Sequence, residues 1–413
     1  MANTFNTNLN APGIIAKAAA KMLADELQFT KSIDKADKKD YDGKNGFKAG
    51  ATIQISKPPR YLPSQSFDVT TSQQNIVEEK TPLNLDIISN VAVNVGTMEF
   101  ATEADLASMV RRVIKPAMSS IAADVEVRML QKATQATYNS VGTAGSNQFT
   151  TGDILSARSL MNKNLAPSGD RSYLSDSESG RLAVIDKKGL FQSSEAISKQ
   201  YKSGVIGIAD GYTWLENELL YKHTNGNDVT GVAISAATLA IADGATSIGV
   251  SGLTANTGTV TKGSVFTIAG VNAIHPITKK DYGVLQQFTV TADATAGAGG
   301  TAVLQISPAI NSAATGLQNV TALHVDAAAM VFSGAASTSL TQNLAFHKDA
   351  FRMVSVPLIM PTNAEFAAQE TVEGITVSIV RDFDVLKREM VTRLDFLGGI
   401  AAVRPEWATR ITA

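Results

Sequence analysis

The alternation of apolar and polar positions is clearest toward the end of the chain. Thr376, Ser378 and Val380 alternate with Val377, Ile379 and Arg381, and Val391, Arg393 and Asp395 alternate with Thr392, Leu394 and Phe396. A period of two marks a half-buried strand, because successive side chains point to opposite faces of a sheet. The pattern predicts two strands joined through the polar turn Asp384-Val-Leu-Lys-Arg-Glu389, followed by a short return strand. Gly398 and Gly399 permit a tight approach or a bulge, and Arg404-Pro405-Glu406 ends the strand, since proline cannot donate to a ladder.

Two stretches carry helical spacing instead. Asn10 is placed to cap a helix with Pro12 in its first turn, and Ile15, Ala18, Ala19, Met22, Leu23 and Leu27 follow at intervals of three to four. This short amphipathic helix must dock its apolar face either on its own domain or on a neighbouring subunit. Further on, Thr102-Glu-Ala-Asp105 reads as a capping box with Asp in the Glu position. Behind it Leu106, Met109, Val110, Val113, Ala117, Ile121, Val125 and Met129 keep a stripe through about 30 residues, roughly 45 Å of helix. Pro116 lies inside that stripe and predicts a kink.

Between these elements the character changes repeatedly. Asp34 to Asp40 is dense in mixed charge, Gly50 to Ser56 alternates like a strand, and Lys57-Pro-Pro-Arg-Tyr-Leu-Pro63 is stiff and extended. Residues 31–80 hold too few large apolar side chains for a core of their own, so this segment needs another surface to lie on. Leu83, Leu85 and Ile87, then Val91, Val93 and Val95, predict a strand or strand pair closed by Gly96. Residues 138–222 mix short helices and strands between glycines, and the apolar runs Leu182–Ile185 and Val205–Ile208 predict sheet. From Thr224 to Ala345 only eight of 122 residues are charged, against 66 of 291 elsewhere. Short runs rich in Val, Ile, Thr and Phe at 247–253, 264–271, 282–291 and 301–310 predict an all-β sandwich or barrel inserted in a loop of another fold.

A chain of 413 residues predicts two or three cores. Its 36 basic and 38 acidic residues leave a net charge of −2, which argues against a dedicated nucleic-acid binder. With no cysteine there is no disulfide framework, thiolate metal site or cysteine nucleophile. No basic, then apolar, leader opens the sequence and no run of eighteen apolar residues occurs, so a soluble, non-exported chain with no membrane association is expected.

Candidate chemistry is sparse. His223, His275, His324 and His347 are far apart, and none has a second ligand at metal spacing, so no metal site is expected. No phosphate-cradling glycine motif follows a strand, and no cofactor is implied. Gly297-Ala-Gly-Gly300 reads as a loop tip. Asp382 and Asp384 share one strand face, as an acid–base pair would, but Arg381, Lys387 and the turn make a solvated hairpin end the simpler reading. Asn225-Gly-Asn-Asp-Val-Thr-Gly231 has alternating oxygen ligands yet lacks the closing bidentate Glu of a calcium loop, which favours an Asx-rich turn. Ser175-Asp-Ser-Glu-Ser179 and Arg111-Arg112 read as surface faces.

In five places, in order, the chain resembles the major capsid proteins of the Hong Kong 97 fold. They are Ile53-Gln-Ile-Ser-Lys-Pro-Pro-Arg-Tyr61, Asn90 to Gly96, Lys262 to Val271, Phe351 to Pro357 and Val391 to Glu406. The resemblance is specifically to the coat proteins of short-tailed Salmonella lambdoid phages, which carry an insertion domain. It implies an α+β fold with an N-terminal arm (1–30), an extended β-hairpin loop (31–82) and a peripheral domain with a long spine helix (83–137). An axial domain would follow (138–222), then an inserted all-β barrel (223–345), then the second part of the axial domain with return strands to the peripheral domain (346–413).

The resemblance also implies the function: assembly, not catalysis. Copies would form the hexamers and pentamers of an icosahedral shell around a scaffolding protein, with a portal protein at one vertex. The procapsid would form in the host cytoplasm and expand as double-stranded DNA enters, touching that DNA non-specifically. Contacts between subunits are expected at Lys57, Arg60 and Tyr61 of the extended loop and at Arg111 and Arg112. In the inserted domain the charge cluster Lys279, Lys280 and Asp281 is either such a contact or an ordinary exposed turn. The helix face that would meet the scaffold carries Lys17 and Lys21, then Asp25 and Glu26, where relatives offer carboxylates. A non-covalent shell is expected. An exported S-layer-like surface protein is the main alternative; a hydrolase and an encapsulin-type compartment are lesser ones.

Overall fold

The computed structural model describes residues 11–35, 50–57, 78–96, 114–145, 150–186, 207–364, 366–385 and 389–412, with 61, 67, 70 and 73 besides. The fold is α+β, and the chain divides into two compact units. The first holds Met1–Ile55, Thr81–Leu130 and Arg352–Ala401; the second holds Ser56–Lys80, Gln131–Phe351 and Ala402–Ala413.

In the first unit the alternating C-terminal pattern forms the strands Ile375–Asp384 and Glu389–Ala402, paired antiparallel from Val377↔Phe396 to Asp384↔Glu389. Ile87–Gly96 pairs with Glu389–Ala402 as well, and Phe366–Val372, Phe351–Ser355 and Asp34–Lys35 complete six strands. The expected half-burial is only partly realised: Ile375 to Ile379 are buried on both faces. The cause is helix α1 (Ala11–Glu26), which lies against Phe366–Val372 and Ile375–Asp384. Ala16, Ala19, Ala20, Leu23 and Ala24 of α1, with Leu27 just beyond it, are at most 1 % exposed. The small residues let the helix sit close, and Leu23 and Leu27 each contribute about 1.5–3 kcal/mol by burial. Of the two dockings open to this helix, the chain's own sheet takes it.

Gly399 meets the expectation of close approach, since a Cβ there would lie 2.2 Å from the Asn84 carbonyl oxygen. The Glu389–Ala402 strand stops just ahead of Arg404-Pro405-Glu406, the segment expected to end the last strand, and one more strand follows Pro405. Pro405 opens a single 3-10 turn, Pro405–Trp407, after which the return strand Ala408–Thr412 joins the second unit.

Helix α2 (Gln28–Ser32) follows α1 directly, and helix α3 (Lys115–Ala136) realises the second helical stripe, burying Met118, Ile121, Ala122, Val125 and Met129. The capping box at 102–105 and the upstream side of the kink expected at Pro116 lie outside the described residues; Pro116 sits in the first described turn. Among the buried side chains of α3 is one carboxylate, Glu126, only 2 % exposed. It accepts from the Phe29 amide at 2.6 Å and from Thr30 Oγ1 at 3.0 Å. These groups open α2, whose N-cap residue Leu27 has no side chain able to cap. Glu126 therefore supplies from another helix the acceptor that the orphan amides of α2 require.

In the second unit a seven-stranded sheet runs in the order Ser140–Val141, Ala408–Thr412, Ser339–His347, Arg171–Ser175, Tyr212–Glu216, Ile208–Ala209, with Lys222–Thr224 also paired to Ser339–His347. Helices α4 (Thr151–Lys163) and α5 (Ser177–Asp186) accompany it. Ile154, Ala157 and Met161 of α4 join a core with Tyr173, Tyr212, Trp214, Ala345 and Ile411. Leu182–Ile185, expected as strand, is the end of α5. Four apolar residues do not separate strand from helix by period, and here Asp176 caps the turn through the Ser179 amide while Ser179 and Ala183, four apart, are buried.

The charge-poor tract leaves the sheet after Thr224 and returns at Ser339, and these two residues are direct partners. Its last seven residues, 339–345, belong to the seven-stranded sheet. The four strands expected inside it are present as Ala245–Ser251, Val265–Ile274, Asp281–Val290 and Ala302–Ile310, extended by Ala233–Ile234 and Met330–Phe332 into six. Their core is separate and apolar, with Phe266 at 5.8 Å from Phe288 and 5.4 Å from Phe332 between ring centroids. The two end strands of this sheet are joined by Ile234 N–H to Ala328 O (2.9 Å) and Met330 N–H to Val232 O (2.9 Å).

Burial raises the pKa of Glu126 above its ordinary value of 4.5, opposed by its hydrogen bonds. The folded state therefore holds a proton there more firmly than the unfolded chain, so the stability this group contributes is full below 4.5 and is lost as pH rises through the raised pKa. Urea unfolding of the wild type and Glu126→Gln across pH 4–8 should show the wild type losing stability relative to the variant in that window, with a flat difference elsewhere.

Candidate contact sites and the buried arginine

The residues expected at subunit contacts meet different fates. Lys57 closes the strand Thr52–Lys57, which pairs with Glu79–Asn84, and its Nζ lies 3.7 Å from Glu79 Oε2 across that hairpin. Tyr61 is 53 % exposed. Arg60, Arg111 and Arg112 lie outside the described residues. On α1, Lys17, Lys21, Asp25 and Glu26 are all exposed, and Lys31 reaches Asp25 at 3.4 Å.

Within the cluster at 279–281, Lys279 and Asp281 are already engaged by other residues of the chain. Lys279, at a φ of +55°, directs Nζ to the carbonyl oxygens of Gly316 (3.1 Å) and Gln318 (2.9 Å). Asp281 accepts from Gly283 N–H (2.7 Å) and Asn272 Nδ2 (3.0 Å), bonds that hold its pKa low. Lys280 is exposed. The neighbouring Tyr282 hydroxyl donates to Lys163 O at the end of α4, 2.9 Å away.

The other candidates are accounted for locally. Asp382 and Asp384 stand at the hairpin end, with Asp382 accepting from the Phe383 amide. The 225–231 turn is built on Asx bonds, with Asn227 bracketing Thr257 and Thr259 and Asp228 accepting from the Thr254 amide. Ser175 and Ser179, read as surface, are buried, because Ser175 belongs to a central strand and Ser179 to the inner face of α5. Among the described residues no three His, Asp or Glu side chains gather closely enough to hold a metal ion, and no helix is long and apolar enough to cross a membrane.

A buried side chain of the second unit with three hydrogen bonds leaves no signal in the sequence pattern. Arg410, in the return strand Ala408–Thr412, is 1 % exposed. Its Nη1 donates to Gly263 O at 2.6 Å, and its Nη2 to Gln135 O at 3.3 Å and Thr289 Oγ1 at 3.2 Å. All three acceptors are neutral, and burial lowers the guanidinium pKa to about 9. Gly263 is in the left-handed region at φ +94°, and a Cβ there would meet the Gln135 side chain at 3.0 Å, so glycine is what lets this carbonyl reach the guanidinium. Beside it, His223 is buried with Nε2 3.3 Å from Ser264 Oγ. Burial first, and the Arg410 charge second, lower its pKa to about 4; Asn225 is near enough to oppose the shift without forming a hydrogen bond of ordinary geometry.

Comparisons with known proteins bear on what these surfaces serve. A family model described as P22 coat protein, gene protein 5, matches residues 21–409. A search of curated proteins found no match. Among solved structures the chain is similar to one from Mycobacterium phage Che8, at 12 % identity over 93 % of this chain and 90 % of that one, with a TM-score of 0.45. It is also similar to one from the mature capsid of bacteriophage PhiM1, at 9 % identity over 94 % and 86 % with a TM-score of 0.42. A third is from the capsid of Ralstonia phage GP4, at 9 % identity over 90 % and 82 % with a TM-score of 0.42.

Arg410→Met should leave its acceptors without their donor while relieving the buried charge, for a net loss of about 2–4 kcal/mol in denaturant unfolding. His223, depressed from 6.5 to about 4 in the folded state, contributes stability that is present above 6.5 and lost as pH falls to about 4. Up to about 3 kcal/mol should disappear across that range and be absent from His223→Gln, measured by unfolding at each pH.

Proposed function

The chain belongs to the P22 coat protein family and is a major capsid protein of a tailed bacteriophage, a structural protein and not an enzyme; on that footing we propose how its parts serve the shell. Its copies self-assemble into an icosahedral capsid, and its place is the virion. The observation that carries this is the family match, which runs through both compact units, the charge-poor tract of the second included. The alternative of an exported surface protein has no support from it.

We read residues 1–30 as the N-terminal arm, 31–82 as the extended loop, 83–137 as the peripheral domain with its spine helix, and 138–222 with 346–413 as the axial domain and return strands of a Hong Kong 97-type subunit. Residues 223–345 are read as an inserted barrel, a reading supported by their separate apolar core and by the bonds that join the end strands of their sheet. Subunits would occupy hexamers and pentamers, assemble around a scaffolding protein in the host cytoplasm with a portal at one vertex, and expand as double-stranded DNA enters. Near-neutral net charge suits a shell that must release the DNA it holds. Tyr61, exposed beyond a stiff diproline, and Lys280, the exposed member of its cluster, are our first choices for contacts with neighbours; Lys57, Arg60, Arg111, Arg112, Lys279 and Asp281 remain in the proposed set.

Negative-stain microscopy of the protein expressed alone and with the neighbouring candidate scaffold gene tests this. Uniform closed shells with the scaffold, and irregular shells or tubes without it, are the expected result. Small discrete particles under every condition would overturn the scaffolded-assembly reading.

A further inference from the structure

Three polar atoms where the inserted sheet is rooted have no hydrogen-bond partner among the described residues: Arg410 Nε, His223 Nδ1 and Asn225 Oδ1. Their residues are 1 %, 6 % and 4 % exposed. All three line one cavity of ≈ 10 Å³, with Ser140, Gln342 and Thr412 among its other walls. Buried polar atoms in native proteins are almost always satisfied, so three orphans around one space point to an occupant.

The chemistry of that occupant is set by the three atoms. Arg410 Nε–H is a donor only. Asn225 Oδ1 is an acceptor, and the orientation of its amide is fixed because Nδ2 already donates to Ser333 O (2.9 Å) and Ala335 O (3.2 Å). His223 Nδ1 takes either role according to tautomer, since Nε2 faces a hydroxyl that also plays both. The occupant must accept from one wall and donate to another. About 10–15 Å³ is the least space that holds one water molecule, which leaves no room here for a second. A halide would suit the guanidinium but would face the amide oxygen with like polarity.

We infer that this cavity binds a single structural water, which accepts from Arg410 Nε–H and donates to Asn225 Oδ1, and so clasps the return strand to the point where the charge-poor tract leaves the sheet. His223 Nδ1 is its third neighbour, completing the three hydrogen bonds typical of buried water. The site lies within one chain and does not depend on how copies assemble.

Cryo-electron microscopy of the assembled protein at about 2 Å or better, in acetate buffer and again in bromide, decides the matter. The expected result is a peak about 2.7–3.2 Å from both Arg410 Nε and Asn225 Oδ1, equal in height in the two buffers. A peak that grows in bromide would make the site an anion site and overturn the assignment. So would a closed cavity with Arg410 Nε bonded directly to a protein oxygen. The same peak is expected in crystals of the unassembled protein, so failure to form shells would not confound the result.

Discussion

The second unit is organised around a positive charge shut off from bulk solvent. A buried guanidinium costs several kcal/mol to desolvate and is ordinarily matched by a carboxylate. Arg410 is held instead by two backbone carbonyls and a hydroxyl, one of the carbonyls being that of Gln135 in the last turn of α3. Helix C-termini expose carbonyls that lack intrahelical partners and carry the negative end of the helix dipole. A second set of neutral acceptors lies just past α4, where the buried Arg171 donates to Pro167 O at 2.6 Å, Ala166 O at 2.7 Å and Asn162 Oδ1 at 2.8 Å. Both guanidiniums thus rest on neutral acceptors, and what each satisfies is geometry specific to the folded chain.

Because the Arg410 acceptors come from segments far apart in sequence, the guanidinium ties them to one another. Gln135 ends a helix, Gly263 and Thr289 belong to the charge-poor tract, and Arg410 itself stands in the final strand. The tract leaves and re-enters the sheet at directly paired residues, Thr224 and Ser339, so the sheet itself would close without it. What makes the tract part of the unit is therefore the side-chain chemistry at its root: the arginine, His223 against Ser264, and the Tyr282 hydroxyl on the end of α4. The first unit shows a parallel economy, since Glu126 caps a helix whose own N-cap residue is leucine.

Much of the architecture was legible in the sequence because it depended on periodicity. Strands at 245–251, 265–274, 281–290 and 302–310 and the hairpin of 375–402 declared themselves by alternation and β-branched content, and the amphipathic helix at 11–26 by its spacing. Arg410 did not. In Ala-Thr-Arg-Ile-Thr it occupies the polar position of an alternating strand, which reads as an outward face unless both faces are known to be covered. Glu126 left a fainter signal, a carboxylate in register with Ala122 and Met129 on the buried stripe of α3. Leu182–Ile185 misled because a short apolar run has no period. The family resemblance supplied what the residues alone could not, namely that the product of folding is a building block.

The hydrogen bonds between the two end strands of the charge-poor tract's sheet carry a consequence for a protein that assembles with copies of itself. An open sheet edge offers a row of unpaired amides and carbonyls on which any passing copy can add a strand, and that addition recruits the next. In the sheet of the charge-poor tract, Ala233–Ile234 and Met330–Phe332 occupy each other's edges. The tract carries too few charges to keep other strands away electrostatically, so this mutual blocking is what leaves its end strands without a free edge toward each other.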